Sequence, residues 1–245
     1  MKILIFGNSF SVDATRYLHG ISRAAGSEIT VANLYIGGCS LARHYRNMLS
    51  GEPAYTYYHN GYSTMLHVTM KQMLLLDEWD YIVLQESSRK VGDYANFQPF
   101  LGSLATHFRY CCPKSQLIYN MSWTYPEGSR IFAQTPFDGP QEMYPKVLES
   151  AERAAKDIEA VKLIPGGTAM WKLCAEIGEE AYRDGFHCNK GISRYMLGLL
   201  WFMVLTGKPV DTVDYHDFDV EVTDEQIALA KRIATETAKE AGFLK

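Results

Sequence analysis

Three residues of this sequence have the types and spacing of a serine nucleophile, its histidine base and the aspartate that holds the base. Ser9 follows the apolar run at 3–6 and precedes a helical pattern, so it lies at a strand-to-helix junction, where a helix N-terminus favours developing negative charge. Asp184 and His187 are three residues apart around Gly185, so one turn can present both side chains on the same side. Acyl transfer uses these residue types: the aspartate holds the imidazole, the imidazole takes the serine proton, and the serine oxygen attacks the acyl group.

Acyl transfer also needs donors aimed at the oxyanion of the tetrahedral intermediate. The backbone N–H groups of Ser9 and Gly38 and the side-chain amide of Gln85 are the candidates. Gly38 follows the second predicted strand, and the lack of a Cβ lets its backbone approach a substrate. Gln85 ends the third predicted parallel strand, so we expect it at the same edge of the sheet as Ser9.

Short apolar runs alternate with helical patterns along the chain, which predicts βαβ units and a parallel sheet. Five parallel strands are predicted at 2–7, 28–35, 80–85, 116–122 and 161–165. Helices are predicted at 12–25, 41–49, 69–76, 97–109, 141–159, 168–180, 190–206 and 223–241. Residues 54–68, around Asn60-Gly61, predict a small β-hairpin insertion. Right-handed crossovers then predict one domain over 1–245, an α/β three-layer sandwich with a doubly wound, flavodoxin-like sheet.

The sequence resembles the SGNH (GDSL-like) hydrolase superfamily over residues 2 to about 206, with three of the family's sequence blocks present and the third replaced. Gly7-Asn8-Ser9 resembles the first block, with an Asn replacing the usual Asp, and Gly37-Gly38-Cys39-Ser40 resembles the second. Asp184-Gly185-Phe186-His187 matches the DxxH of the last block. The third block usually supplies an Asn, whereas Leu84-Gln85-Glu86-Ser87-Ser88 stands here, which is similar to carbohydrate and sialic-acid acetylesterases. The segment 79–87 also resembles a bacterial branch known mainly as a domain of unknown function.

The resemblance implies a serine esterase that needs no metal or organic cofactor. It also implies a small acyl ester as substrate, in particular an acetyl ester of a carbohydrate. The implied catalytic residues are Ser9, Asp184 and His187, and the implied oxyanion donors are Ser9, Gly38 and Gln85. Three further residues near strand ends are predicted to contact substrate: Ser88, Trp123 and Tyr125.

Other interpretations of the same residues stay open. Ser9 could cap the first helix. His216, which lies between Asp214 and Asp217, is an alternative base. Lipid or thioester hydrolysis would use the same chemistry on the same fold. A non-enzymatic, flavodoxin-like nucleotide-binding module could hold a phosphate at residues 7–11, although GxGxxG and the Walker lysine are absent.

Composition excludes several classes of protein. The 245 residues carry a net charge of -4 with pI ≈ 6.0, which does not fit a nucleic-acid-binding domain. No apolar run is long enough to span a membrane, and the five cysteines lack the spacing of a metal site or a disulfide framework. The N-terminus has no signal peptide, so we expect a cytoplasmic chain, or a periplasmic or secreted one if a leader has been removed. The expected partner is a small-molecule or carbohydrate ester, with the oligomeric state left open.

Overall fold

The computed structural model describes residues 1–244, which form one seven-stranded sheet with helices on both faces. The strands are β1 (Lys2–Gly7), β2 (Thr30–Tyr35), β3 (Tyr55–His59), β4 (Tyr62–Val68), β5 (Tyr81–Leu84), β6 (Gln116–Asn120) and β7 (Lys162–Ile164). The helices are α1 (Ser9–Thr15), α2 (Leu18–Ala24), α3 (Leu41–Ser50), α4 (Met70–Leu74), α5 (Phe100–Cys111), α6 (Pro140–Asp157), α7 (Gly166–Ile177), α8 (Ile192–Thr206) and α9 (Asp224–Glu240).

The strand order is β4-β3-β2-β1-β5-β6-β7. Strands β2, β1, β5, β6 and β7 are parallel, whereas β3 pairs antiparallel with both β2 and β4. The predicted count of five strands is therefore too low for the sheet as a whole. The two strands at 55–68 join it because β3 pairs with β2, with His59 opposite Ala32.

The central strand β1 explains why both faces of the sheet carry helices. Residues 3–6 are all fully buried, and successive side chains of a strand point to opposite faces, so both faces must be covered. Helix α8 packs against α1, α2, α7 and α9, while α3 packs against α4 and α5. No helix within residues 1–244 has both the length and the apolar character needed to cross a bilayer.

Asn60 and Gly61 form the turn between β3 and β4, with positive φ values of 49 and 86 degrees. Such values suit a two-residue hairpin turn, in which glycine carries no steric cost. Space also requires glycine here, because a Cβ on Gly61 would lie 2.2 Å from the carbonyl oxygen of Arg16. The turn therefore packs closely against the junction between α1 and α2.

The first helical region differs from the prediction of one helix over 12–25. It consists of α1 and α2, and α1 begins at Ser9 because Asn8 caps it. The Asn8 Oδ1 atom accepts a hydrogen bond from the backbone N–H of Phe10 at 3.0 Å. Ser9 is thus the first helical residue and not the cap, which leaves its hydroxyl for another partner.

Candidate active site

Ser9, His187 and Asp184 form one chain of hydrogen bonds at the carboxyl end of β1. The Ser9 Oγ atom lies 2.8 Å from Nε2 of His187. On the other side of the ring, Nδ1 of His187 lies 2.7 Å from Oδ2 of Asp184. The structure thus brings together the three residues proposed as catalytic from the sequence, in the order in which a serine proton would move to a base held by a carboxylate.

The turn at 184–187 is built by its own aspartate. Oδ1 of Asp184 accepts hydrogen bonds from the backbone N–H groups of Phe186 at 3.3 Å and His187 at 2.8 Å. Gly185, which lies between Asp184 and Phe186, has a φ of 81 degrees, a value that favours glycine. The hydroxyl of Ser129 donates to the Gly185 carbonyl at 2.6 Å, which fixes the turn from outside.

The charge of Asp184 is set by two opposing effects. Burial raises the pKa of this carboxyl, whereas the hydrogen bonds from the His187 ring and backbone lower it, and the net shift is below the ordinary value of 3.8. Asp184 is therefore ionised throughout the neutral range. An ionised carboxylate at Nδ1 keeps the proton on that nitrogen and leaves Nε2 to accept the proton from Ser9.

An open cleft of about 290 Å³ lies beside the Ser9 hydroxyl, and we call it the catalytic cleft. Its lining residues are Asn8, Ser9, Phe10, Tyr35, Gly37, Gly38, Ser87, Ser88, Arg89, Phe186 and His187. Within residues 1–244, the backbone N–H groups of Ser9 and Gly38 donate no hydrogen bond, so both can serve an incoming oxygen. Ser88 also lines the cleft, at the position predicted for a substrate contact.

Gln85, the third predicted oxyanion donor, does not line the catalytic cleft. Its side chain is fully buried, and Nε2 donates to Oδ1 of Asn8 at 2.8 Å. Its Oε1 atom accepts from Nδ2 of Asn120 at 2.8 Å, while Nδ2 of Asn8 donates to the Cys39 carbonyl at 3.1 Å. Because the Phe10 N–H fixes Asn8 Oδ1 as an acceptor, the orientation of every amide in this chain follows. We call Asn8, Gln85 and Asn120 the amide chain.

The position of the amide chain corrects the role predicted for Gln85. It joins the ends of β1, β5 and β6 beneath Ser9 and, through Cys39, holds the loop that carries Gly38. The Gln85 amide is therefore bonded to Asn8 and Asn120 and does not face the cleft, and it holds the segments that carry Ser9 and Gly38.

We expect Gln85→Ala to lower the free energy of unfolding by about 1–3 kcal/mol for each buried partner left unsatisfied. Activity should fall as well, because Asn8 loses the bond that holds it in place. Denaturant unfolding measured beside kinetics tests this, with Gln116→Ala as a control at an exposed glutamine. Wild-type stability combined with a kcat loss of about 10²–10³-fold would instead restore Gln85 as an oxyanion donor.

A sequence-family model and solved structures bear on this geometry. The model of DUF4886, a domain of unknown function, matches residues 2–238. The chain belongs to the DUF4886 family. A DUF4886 protein from Bacteroides uniformis has 29% identity and a TM-score of 0.89, over 98% of this chain and 95% of that one. No curated protein matches the sequence.

Two more distant structures share the fold of this DUF4886 chain. A candidate SGNH hydrolase from Slackia heliotrinireducens has 20% identity and a TM-score of 0.60, over 84% of this chain and 98% of that one. A candidate GDSL-like lipase from Parabacteroides merdae has 11% identity and a TM-score of 0.56, over 83% of this chain and 94% of that one. The DUF4886 chain therefore has the α/β fold of these SGNH and GDSL-like proteins.

Trp123 and Tyr125 of the DUF4886 chain lie behind the catalytic cleft, contrary to their prediction as substrate contacts. Both side chains are buried, and neither lines the cleft. The Trp123 ring stacks on Phe10 at 4.0 Å between centroids, and its Nε1 donates to the Phe186 carbonyl at 3.0 Å. Trp123 thus supports Phe10 and Phe186, which line the cleft. Phe186 lines the cleft instead, and its position between Asp184 and His187 is the feature of the sequence that places it there.

The alternative reactive residues of this DUF4886 chain lack suitable partners. His216 is exposed and pairs with Asp214 at 2.8 Å, and within residues 1–244 no serine or cysteine bonds to its ring. The buried Cys39 Sγ atom lies 3.6 Å from Nδ1 of His44. This imidazole is not a suitable base, because burial lowers its pKa to about 3 and raises the pKa of the Cys39 thiol to about 12. Among the described residues, no group of three His, Cys, Asp or Glu side chains is placed to hold a metal ion.

A buried ion pair connects the two halves of the candidate triad in the DUF4886 chain. Asp13 lies one helical turn after Ser9 in α1, and its Oδ2 atom lies 2.9 Å from Nη1 of Arg183. Arg194 donates to the other carboxylate oxygen at 2.6 Å. Because Arg183 immediately precedes Asp184, the helix that begins at Ser9 is tied to the loop that carries His187. Asp13 and Arg183 are 170 residues apart, and no short-range pattern in the sequence predicts a contact over that separation.

We expect Asp13→Ala to destabilise the protein by about 3 kcal/mol, the lower end of the cost of breaking a buried ion pair. The lower end applies because the two arginine side chains are 11% and 26% exposed, so water partly compensates their charges. Urea unfolding measures the change, and Asp211→Ala is the control at an exposed aspartate. Equal unfolding midpoints for Asp13→Ala and the control would show that the ion pair does not hold the two segments together.

Proposed function

We propose that this chain is a serine ester hydrolase that works through an acyl-enzyme. The observation that carries the proposal is the chain of hydrogen bonds from Ser9 through His187 to Asp184, open to the catalytic cleft. A serine at 2.8 Å from an imidazole whose far nitrogen faces a carboxylate has the arrangement of an activated nucleophile. The fold shared with SGNH and GDSL-like proteins agrees with this chemistry.

In the proposed reaction, Ser9 Oγ attacks the ester carbonyl carbon while its proton passes to Nε2 of His187. Asp184 holds the ring and stabilises the imidazolium that forms. The tetrahedral intermediate collapses, its C–O bond to the alcohol breaks, and the alcohol leaves with the proton from Nε2. Water then attacks the acyl-enzyme by the same steps and releases the acid.

The oxyanion in this reaction is stabilised by backbone donors. The N–H groups of Ser9 and Gly38 line the catalytic cleft without internal partners among residues 1–244. Donors that are already oriented cost no reorganisation when the negative charge develops. The amide chain below them supplies that orientation, because Asn8 precedes Ser9 and bonds to the carbonyl after Gly38.

The substrate we propose is a small acyl ester, in particular an acetyl ester of a carbohydrate. The catalytic cleft, at about 290 Å³, is near the small end of ligand sites. Hydroxyl groups of Ser87 and Ser88 and the aromatic rings of Tyr35 and Phe186 line it. Such a mixture suits a hydroxyl-rich ligand with apolar ring faces. Lipid and thioester hydrolysis are the alternatives within the same chemistry.

Two measurements test the proposal. A fluorophosphonate should label Ser9, and short para-nitrophenyl esters and acetylated sugars should be hydrolysed at neutral pH. Long-chain esters and acyl thioesters belong in the same screen, since they separate the alternatives. Ser88→Ala is the matched control, because this cleft serine has no hydrogen bond to a histidine and its loss should leave labelling intact. No labelling and a flat screen would contradict the proposal, and saturable nucleotide binding would then favour a flavodoxin-like module.

A further inference from the structure

Arg89 is the cationic side chain that lines the catalytic cleft beside the Ser9 and His187 side chains. It follows Ser88 in the loop after β5, and it is exposed. Within residues 1–244 its guanidinium makes no salt bridge and donates no hydrogen bond. This contrasts with Arg183 and Arg194 nearby, whose side chains are held by Asp13. The proposed reaction does not use Arg89, so its charge is free to act on a ligand.

Further cations lie on the segments that follow β2 and β5, next to the catalytic cleft. Arg43 and Arg46 are exposed on α3, which starts just after Gly38, and both act to lower the pKa of the adjacent Cys39 thiol against the larger effect of burial. Lys90 is exposed next to Arg89. None of these three side chains makes a salt bridge in the described part of the chain. In a protein whose net charge is -4, this is a local excess of positive charge.

The carboxylates near the catalytic cleft do not offset this charge. The Asp184 carboxylate does not line the cleft, and its Oδ2 atom lies 4.0 Å from Nε of Arg183. Glu86 is fully buried, and Oε1 accepts from the backbone N–H groups of Leu41 at 3.2 Å and Ser87 at 2.6 Å. Burial raises the pKa of Glu86 to about 7, so near neutrality it carries only part of a negative charge. A ligand in the cleft therefore meets an uncompensated guanidinium.

We propose that the catalytic cleft selects esters that carry a carboxylate, and that Arg89 binds this group. The guanidinium is a planar fork that donates two parallel hydrogen bonds to a carboxylate, which gives orientation as well as attraction. Arg43, Arg46 and Lys90 add a field that attracts such substrates from solution. This inference rests on the proposed ester hydrolysis and narrows its substrate class.

The test uses two matched pairs of esters, measured as kcat/KM in wild type and in Arg89→Gln. The first pair is para-acetoxybenzoate and its methyl ester, which places the carboxylate on the leaving group. The second is mono-para-nitrophenyl glutarate and para-nitrophenyl pentanoate, which places it on the acyl group. Differences in intrinsic reactivity cancel, because each pair is compared between proteins. Arg23→Gln is the control, since Arg23 is exposed near the end of α2, which leads to the amino end of β2, whereas the cleft lies at the carboxyl ends of the strands.

We expect the ratio of kcat/KM for the charged over the neutral ester to fall about tenfold in Arg89→Gln, the range for a hydrogen-bonded charged group. The pair that responds identifies the side of the ester that Arg89 faces. The ratio in Arg23→Gln should equal that of wild type. Equal ratios in wild type and Arg89→Gln for both pairs would overturn the inference while leaving ester hydrolysis intact. Failure of the neutral esters, together with absent fluorophosphonate labelling of Ser9, would instead overturn the proposed function and this inference with it.

Discussion

Ser9→Ala is expected to lose ester hydrolysis, with kcat falling on the order of 10⁶-fold, as for removal of a triad nucleophile. The substitution removes the atom that forms the acyl-enzyme, and no second nucleophile lies at 2.8 Å from His187 in the described residues. The fold should remain intact, because Asn8 and not Ser9 caps α1. A steady-state assay with para-nitrophenyl acetate, read beside circular dichroism, measures both effects.

The matched control for this variant is Ser88→Ala. Both serines line the catalytic cleft, but the Ser9 hydroxyl is the one bonded to a histidine. If Ser88→Ala lost turnover and fluorophosphonate labelling while Ser9→Ala kept both, the nucleophile would have to be reassigned.

Asp184→Asn is expected to reduce kcat by up to about 10⁴-fold, the loss seen when a triad aspartate becomes an amide. An amide nitrogen facing Nδ1 of His187 would place the ring proton on Nε2, and the ring could no longer accept the proton of Ser9. His187→Ala should lose at least as much, since it removes the base itself. Pre-steady-state kinetics of all three proteins would show the loss in acylation.

The pH dependence distinguishes the two residues. The pKa of Asp184 is below the ordinary value of 3.8, so Asp184 loses its negative charge only in strong acid. The fall of kcat/KM on the acid side should therefore not come from Asp184. It should come from protonation of the His187 ring, which can then no longer accept a proton, with the buried Glu86, whose pKa is about 7, as the other group near the cleft that gains a proton in this range. His187→Ala should lose this acid limb together with the rate. Retention of both would leave DxxH as a structural turn and make His216, beside Asp214, the next base to test.

Local patterns in the sequence predicted the residues of the candidate triad better than the buried side chains that hold them in place. Asp184 and His187 are three residues apart and lie in one turn, and Ser9 follows a buried strand, so short-range rules place all three. The position of Gln85 at the end of β5 was also predictable. The direction of its side chain was not, because it depends on Asn8 and Asn120, which come from other strands.

Long-range contacts account for the remaining differences between prediction and structure. The hairpin signal at Asn60-Gly61 predicts two strands, but not that β3 pairs with β2 and extends the sheet to seven strands. Tryptophan is a residue type that often contacts ligands, yet the Trp123 side chain stacks on Phe10 and is buried in the core. In each case the outcome depends on which surface the chain folds against.

The amide chain that lies beneath Ser9 has no side chain that gains or loses a proton in ordinary buffers. A carboxylate at position 8 would carry a charge beside the developing oxyanion and would change its bonds when protonated, whereas Asn8, Gln85 and Asn120 stay neutral. Their alignment should therefore be insensitive to acidity, and weakly sensitive to ionic strength. A rate that varies with acidity would then report ionisable groups outside the amide chain, such as the His187 imidazole and the buried Glu86, while the amide chain itself keeps one geometry.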